Sequence, residues 1–135
     1  MAAALTVHNP RFRLLSPVPA GELVHGFDPR GDSCLTYAAP AGAGVVAAAA
    51  GTVAYAGPDP AGASTWIAIA HAGRVEFDRL PALTTFYDGL GTVTVRRGEH
   101  VDVGQVIGRM PAADGFLKFS LSRGHERLDP RPHLR

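Results

Sequence analysis

A two-residue period runs through most of this chain, and glycines interrupt it about every ten residues, which is the pattern of short strands joined by turns. In "STWIAIAHAG" (64–73), Trp66, Ala68 and Ala70 alternate with Ile67, Ile69 and His71. "GTVTVRRGEHVDVGQVIGRM" (91–110) carries β-branched residues at alternate positions between Gly98, Gly104 and Gly108. In "FLKFSLSRG", Phe116, Lys118 and Ser120 alternate with Leu117, Phe119 and Leu121. Successive side chains leave a strand on opposite faces, so this last stretch predicts a half-buried strand. Its Phe116–Lys118–Ser120 side then looks into a cleft or solvent. "GVVAAAAGTVAYAG" (44–57) has an alanine run with helical propensity, but it is short and flanked by glycines, and Val53 and Tyr55 alternate after it. No stretch shows an amphipathic helical face over a dozen residues. The expectation is an all-β domain, a sandwich or barrel, with at most a short helix in the 77–90 region.

Composition narrows the function classes. A chain of 135 residues suits one domain that buries roughly two-thirds of its unfolded surface. A net charge of +1 carries no electrostatic footprint for nucleic acid or an acidic membrane. Cys34 is the single cysteine, so no internal disulfide or cysteine metal cluster is expected, and it reads as a small buried apolar residue. No run of 18 apolar residues predicts a membrane span. The N-terminal "MAAALTVHNPRFRLLSP" lacks a charged region followed by an apolar run, so no signal peptide is visible in this chain.

Four blocks in order resemble a known family. "TYAAPAGAGVVAAAAGTVAYAG" (36–57) resembles the pattern D-[IL]-A-A-P-x-G-T-P-V-x-A-A-x-x-G-x-V-x-x-A-G without a gap. "WIAIAHAG" resembles V-x-I-x-H-G, and "TFYDGLGTVTVRRGEHVDVGQVIG" resembles T-x-Y-x-H-L-x-x-I-x-V-x-x-G-x-x-V-x-x-G-x-x-I-G. "FLKFSLSRGHERLDPRPHL" resembles the closing H-L-H-F-E-V-R-x-x-G-x-x-x-D-P-x-x-L. These are the blocks of the M23 (LytM, lysostaphin-like) zinc peptidase domain. The resemblance implies an antiparallel β-sandwich of the duplicated-hybrid-motif kind over residues 19–135, preceded by an N-terminal extension, 1–18. It also implies an envelope setting, since these enzymes cut peptide cross-bridges in bacterial cell walls.

The resemblance implies a zinc site too: two imidazoles and a carboxylate holding the metal, with two further imidazoles beside the activated water. Carried over residue by residue, every one of those positions is substituted. The ungapped alignment puts Asp32 where the first ligand histidine belongs and Thr36 where the ligand aspartate belongs. Tyr87 to Leu90 matches Y-x-H-L with Gly89 for histidine, since the eleven positions from Tyr87 to Gly98 keep the family spacing; an alternative placement on "FDRL" puts Arg79 there. Phe116 and Lys118 stand for the H-x-H pair. Threonine is a weak neutral ligand, glycine and phenylalanine are none, and an ammonium repels a dication. No zinc or other cofactor is therefore expected. A metal site rebuilt from His8, His25, His71, His100, His125 and His133 finds no H-x-H or H-x-x-x-H spacing. His71 reads as structural or solvated, and His100 and His125 as surface residues in turns.

Lys118 has two readings: an ion pair with Asp32 across the old cleft, or a solvated ammonium whose stem lies on Phe116. A carrier domain with a modifiable lysine is disfavoured because Lys118 sits inside a strand, and a phosphotransfer domain because no histidine pair stands out. Neither Cys34 with His25 nor any serine has the context of a nucleophile. The expectation is a non-catalytic domain of this class, a binding or regulatory module with a protein partner or peptidoglycan. Degenerate relatives of this kind activate cell-wall amidases or belong to secretion and division assemblies. Its groove is expected to be lined by residues 32–36, 87–90 and 116–120, with Asp32, Thr36, Tyr37, Tyr87, Phe116, Lys118 and Ser120 as its named side chains. The competing readings are a residual zinc endopeptidase with rebuilt ligands, and a structural subunit of a virion or envelope assembly.

Overall fold

A computed structural model describes residues 12–61, 64–71, 83–113 and 115–135, and the two-residue period appears in it as eleven strands. In chain order they are β1 (Glu22–His25), β2 (Leu35–Ala39), β3 (Gly44–Val46), β4 (Gly51–Pro58), β5 (Thr65–His71) and β6 (Leu83–Leu90), followed by β7 (Thr92–Val93), β8 (His100–Val101), β9 (Val106–Arg109), β10 (Gly115–Arg123) and β11 (Glu126–Leu128). One 3-10 turn, Arg131–His133, closes the chain, and no α-helix occurs among the described residues. The larger sheet runs β1-β2-β10-β6-β5-β4-β8 with β11 alongside β10, and the smaller runs β3-β9-β7. Adjacent strands pair antiparallel throughout.

One core joins the two sheets. Leu117, Phe119 and Leu121 of β10, Ile67 and Ile69 of β5, Tyr87 of β6, and Leu35 and Tyr37 of β2 meet Val45 of β3 and Ile107 of β9. Each fully buried aliphatic or aromatic side chain contributes about 1.5–3 kcal/mol relative to exposure. The alternation in β10 therefore fixes which face turns inward: the Leu117–Phe119–Leu121 side is fully buried, whereas Phe116 and Lys118 are exposed.

Two stretches of the chain gain definition in the structure. The region 77–90, allowed at most a short helix, is strand β6 over residues 83–90, paired with β5 and β10 on both sides; residues 77–82 lie outside the described residues. Within the segment expected as an N-terminal extension, Leu14 and Val18 pack into the core, both fully buried. The Leu14 amide donates to the His133 carbonyl at 2.8 Å and the Arg135 amide to the Leu14 carbonyl at 3.0 Å. The Leu14 segment is thus held against the last turn by contacts too distant in sequence for pattern to show.

A buried hydrogen-bond chain ties β5 and β6 to the alanine run. His71 Nδ1 lies 2.7 Å from the Ala50 carbonyl, and its Nε2 lies 2.8 Å from Thr85 Oγ1. Thr85 Oγ1 is 2.8 Å from the Tyr87 hydroxyl, which accepts the Ala48 amide at 2.9 Å. A carbonyl only accepts, so Nδ1 carries the imidazole proton, Nε2 accepts from Thr85, and Thr85 accepts from Tyr87. Every link then has one direction, and it requires neutral imidazole and neutral phenol. Burial pushes the His71 pKa down, the bond to the Ala50 carbonyl opposing it. Burial likewise pushes the Tyr87 phenol up to about 12, against its bonds to Thr85 and Ala48.

With a folded pKa below its ordinary 6.5, His71 contributes stability that is fully present above pH 6.5 and is lost as pH falls through the lower folded value. Tyr87, raised above 10.0, contributes stability present below pH 10 and lost as pH climbs toward 12. Urea unfolding across pH is expected to show a plateau between these limits, and His71→Gln to flatten the decline that begins near pH 6.5. An unchanged acid limb in that variant would count against this assignment.

Candidate functional site

The outward face of the larger sheet holds the site. Thr36, Lys118, Asp88 and Trp66 are successive Cα partners across β2, β10, β6 and β5. Residues directly opposite one another share a face, so these four form one row. One step along, Ser120, Phe86 and Ala68 form the next row, and Phe116 stands opposite Ala38. A groove of about 430 Å³ crosses these rows.

Two loops and an edge strand wall it. Gly31, Asp32, Ser33 and Cys34 come from the segment between β1 and β2, Asp59 follows β4, and Arg127 comes from β11. Asp28 shapes the first loop: its Oδ1 accepts the Arg30 amide at 2.9 Å while its own amide donates to the Asp32 carbonyl at 2.9 Å. Asp59 Oδ1 accepts the Ala61 amide at 3.0 Å, fixing that carboxylate at the end of the β4 strand. Aromatic rings line the other wall. Tyr55 stacks on Trp66 at 4.4 Å, Trp66 leans over Phe86 at 6.2 Å, and the Arg127 guanidinium lies 4.8 Å from the Phe86 ring.

Of the residues expected in a groove, Asp32, Lys118 and Ser120 do line it together. Thr36 is in their row but buried. Tyr37 and Tyr87 are not groove residues: each is one step out of phase, opposite Leu117 and Phe119 respectively, and both are buried in the core. Phe116 is 60% exposed and lines a separate depression with Glu22 and Pro40. Of the two readings of Lys118, the ion pair with Asp32 is not formed: Lys118 makes none among the described residues, and the residue is exposed. Asp88 falls in the 87–90 segment expected to line the groove, and it does. Sequence reasoning missed Asp59, Trp66, Phe86 and Arg127. Asp59 and Arg127 reach the groove only through loop and strand placement. The alternative placement on Arg79, and His8, lie outside the described residues.

The characteristic sequence profile described as peptidase family M23 matches residues 30–130, most of the chain, a range that contains every groove-lining residue. The chain belongs to that family. Among solved structures, a putative peptidase M23 from Pseudomonas aeruginosa is similar at 25% identity, with a TM-score of 0.71 over 98% of this chain and 58% of the other. A zinc containing peptidase from Vibrio cholerae is similar at 20% identity and TM-score 0.70, over 91% of this chain and 39% of that one. The SpoIIQ–SpoIIIAH pore forming complex contains a chain at 19% identity and TM-score 0.68, with 90% of each covered. The M23 domain described here thus spans less than two-thirds of the length of the first two. No curated protein matches it by sequence.

The zinc implied for M23 enzymes does not fit these residues. No three His, Cys, Asp or Glu side chains among the described residues converge to hold a metal ion. Lys118 brings an ammonium to the middle of the row, and Phe116 faces solvent. At the position of the second water-orienting histidine, Gly89 has φ +105°, and a Cβ there would lie 2.4 Å from the Phe116 carbonyl oxygen. Thr65 pairs with Leu90 and Trp66 with Asp88, so Gly89 is the extra residue of a bulge. The backbone itself has closed the place where a side chain would stand.

Proposed function

We propose that this M23 domain is a non-catalytic binding or regulatory module acting in cell-envelope or peptidoglycan processes. The observation that carries the reading is Lys118, a cation at the place of a metal ligand, directly opposite Thr36 and Asp88. An ammonium and a dication repel, and each would have to be neutralised or moved for the other to bind. The bulge at Gly89 adds support, because restoring that histidine meets backbone and not empty space. The scaffold around these changes is kept, with an open groove that mixes aromatic rings, three carboxylates and two cations. Such a lining suits recognition more than the activation of a water. The similarity to a chain of a pore forming complex is compatible with a partner-holding role.

The test is metal content and turnover together. After incubation with one equivalent of zinc and desalting, elemental analysis is expected to find well under one zinc per chain, and peptidoglycan to be left uncut. Near-stoichiometric zinc, lost together with peptidoglycan cleavage on chelation, would instead establish a residual endopeptidase with rebuilt ligands.

A further inference from the structure

The groove is acidic at one end and already built around a cation-binding aromatic wall. Trp66 stands in register between Gly57 of β4 and Asp88 of β6, and Asp59 lies two residues beyond Gly57. Asp59, Trp66, Phe86 and Asp88 all line the groove. Asp88 Oδ1 is the one buried side-chain oxygen or nitrogen without a hydrogen-bond partner among the described residues. A carboxylate oxygen stripped of water and given no donor is a cost that a nearby cation offsets. Lys118, its cross-strand neighbour, does not supply that cation as an ion pair. Arg127 does not either, since its guanidinium is committed to the Phe86 ring.

We infer that this end of the groove is a site for a primary alkylammonium group. Asp59 and Asp88 supply the negative charge, and Trp66, backed by Tyr55, supplies a π face for the ammonium and its adjoining methylenes. The contact of Arg127 with Phe86 shows the same wall holding a cation from within the chain. An anionic ligand is disfavoured by charge: three carboxylates, Asp32, Asp59 and Asp88, face two cations, Lys118 and Arg127. Lys118, directly opposite Asp88, is a like charge that an incoming ammonium must approach. The inference rests on the groove being a metal-free binding site, and it adds the chemistry of what binds there.

Trp66 is the chain's single tryptophan, so its fluorescence reports this end of the groove directly. Three titrants at fixed ionic strength separate the possibilities: Nα-acetyl-lysine amide, with only a side-chain ammonium; glycylglycine amide, with only a chain-terminal one; and Nα,Nε-diacetyl-lysine amide, which is neutral. A saturable change with one or both ammonium compounds, at millimolar concentrations or so, and none with the neutral compound is expected; which one binds identifies the source of the amine. Asp88→Asn is expected to weaken binding about tenfold, the scale of a lost hydrogen bond to a charged group. Asp59→Asn gives the same direction should Asp88→Asn fail to fold by circular dichroism. Lys118→Met is expected to tighten binding by removing a like charge opposite Asp88. An equal response to the neutral compound, no saturable response to either amine, or weaker binding in Lys118→Met would overturn the inference. None of those results bears on zinc content, so failure here leaves the non-catalytic reading standing, and zinc uptake would fell that reading separately.

Discussion

Tyr87→Ala is expected to lower the unfolding free energy by about 3–5 kcal/mol, the range for deleting a fully buried aromatic ring. The ring is completely buried and packs against Phe119 with centroids 5.3 Å apart, at the centre of the core joining both sheets. Its hydroxyl also ends the chain of hydrogen bonds from His71 through Thr85 to the Ala48 amide. Tyr87→Phe isolates that second part. It keeps the packing but leaves the Ala48 amide without its acceptor, at a cost of about 1–3 kcal/mol. Chemical denaturation of both variants against the parent separates the two contributions. A loss below about 1 kcal/mol in Tyr87→Ala would mean that this residue is not where the sheets are joined.

Gly89→Ala and Gly89→His carry the other large effect. Positive φ is poorly tolerated by any residue with a Cβ, and here the added atom meets a backbone oxygen at 2.4 Å, so something in β6 or β10 must shift. A loss of about 2 kcal/mol or more is expected for Gly89→Ala, from backbone strain and overlap together. Gly98→Ala is the control, because Gly98 also has positive φ, +89°, yet a Cβ there meets nothing within 4 Å. Only strain, about 1–2 kcal/mol, should appear at Gly98. Putting histidine back at residue 89 is therefore expected to destabilise the domain without assembling a metal site. Equal losses at the two glycines would remove the collision from the account.

The two-residue period made β5 and β10 legible, because a half-buried strand must alternate and these residues do. It also made the outward face of β10 legible, and with it Lys118 and Ser120 as groove residues. The same rule, applied to β2 and β6, would have kept Tyr37 and Tyr87 out of the groove: each is an odd step from the row that holds Thr36 and Asp88. There the motif alignment named positions without asking which way they face. His71 and Tyr87 stand on family motifs, and their work in this chain is structural.

The sequence by itself determined the sheet-forming pattern, the inward face of β5 and β10, and the substitution of every expected metal-site position, since all three are properties of residue type and spacing along one strand. Tertiary structure alone decided that Asp59 and Arg127 join Asp88 and Trp66 around one groove, that Leu14 and Val18 complete the core, and that a bulge closes the space at Gly89. Those outcomes depend on strand register and loop closure between segments tens of residues apart, and side-chain identities do not encode which strand stands beside which.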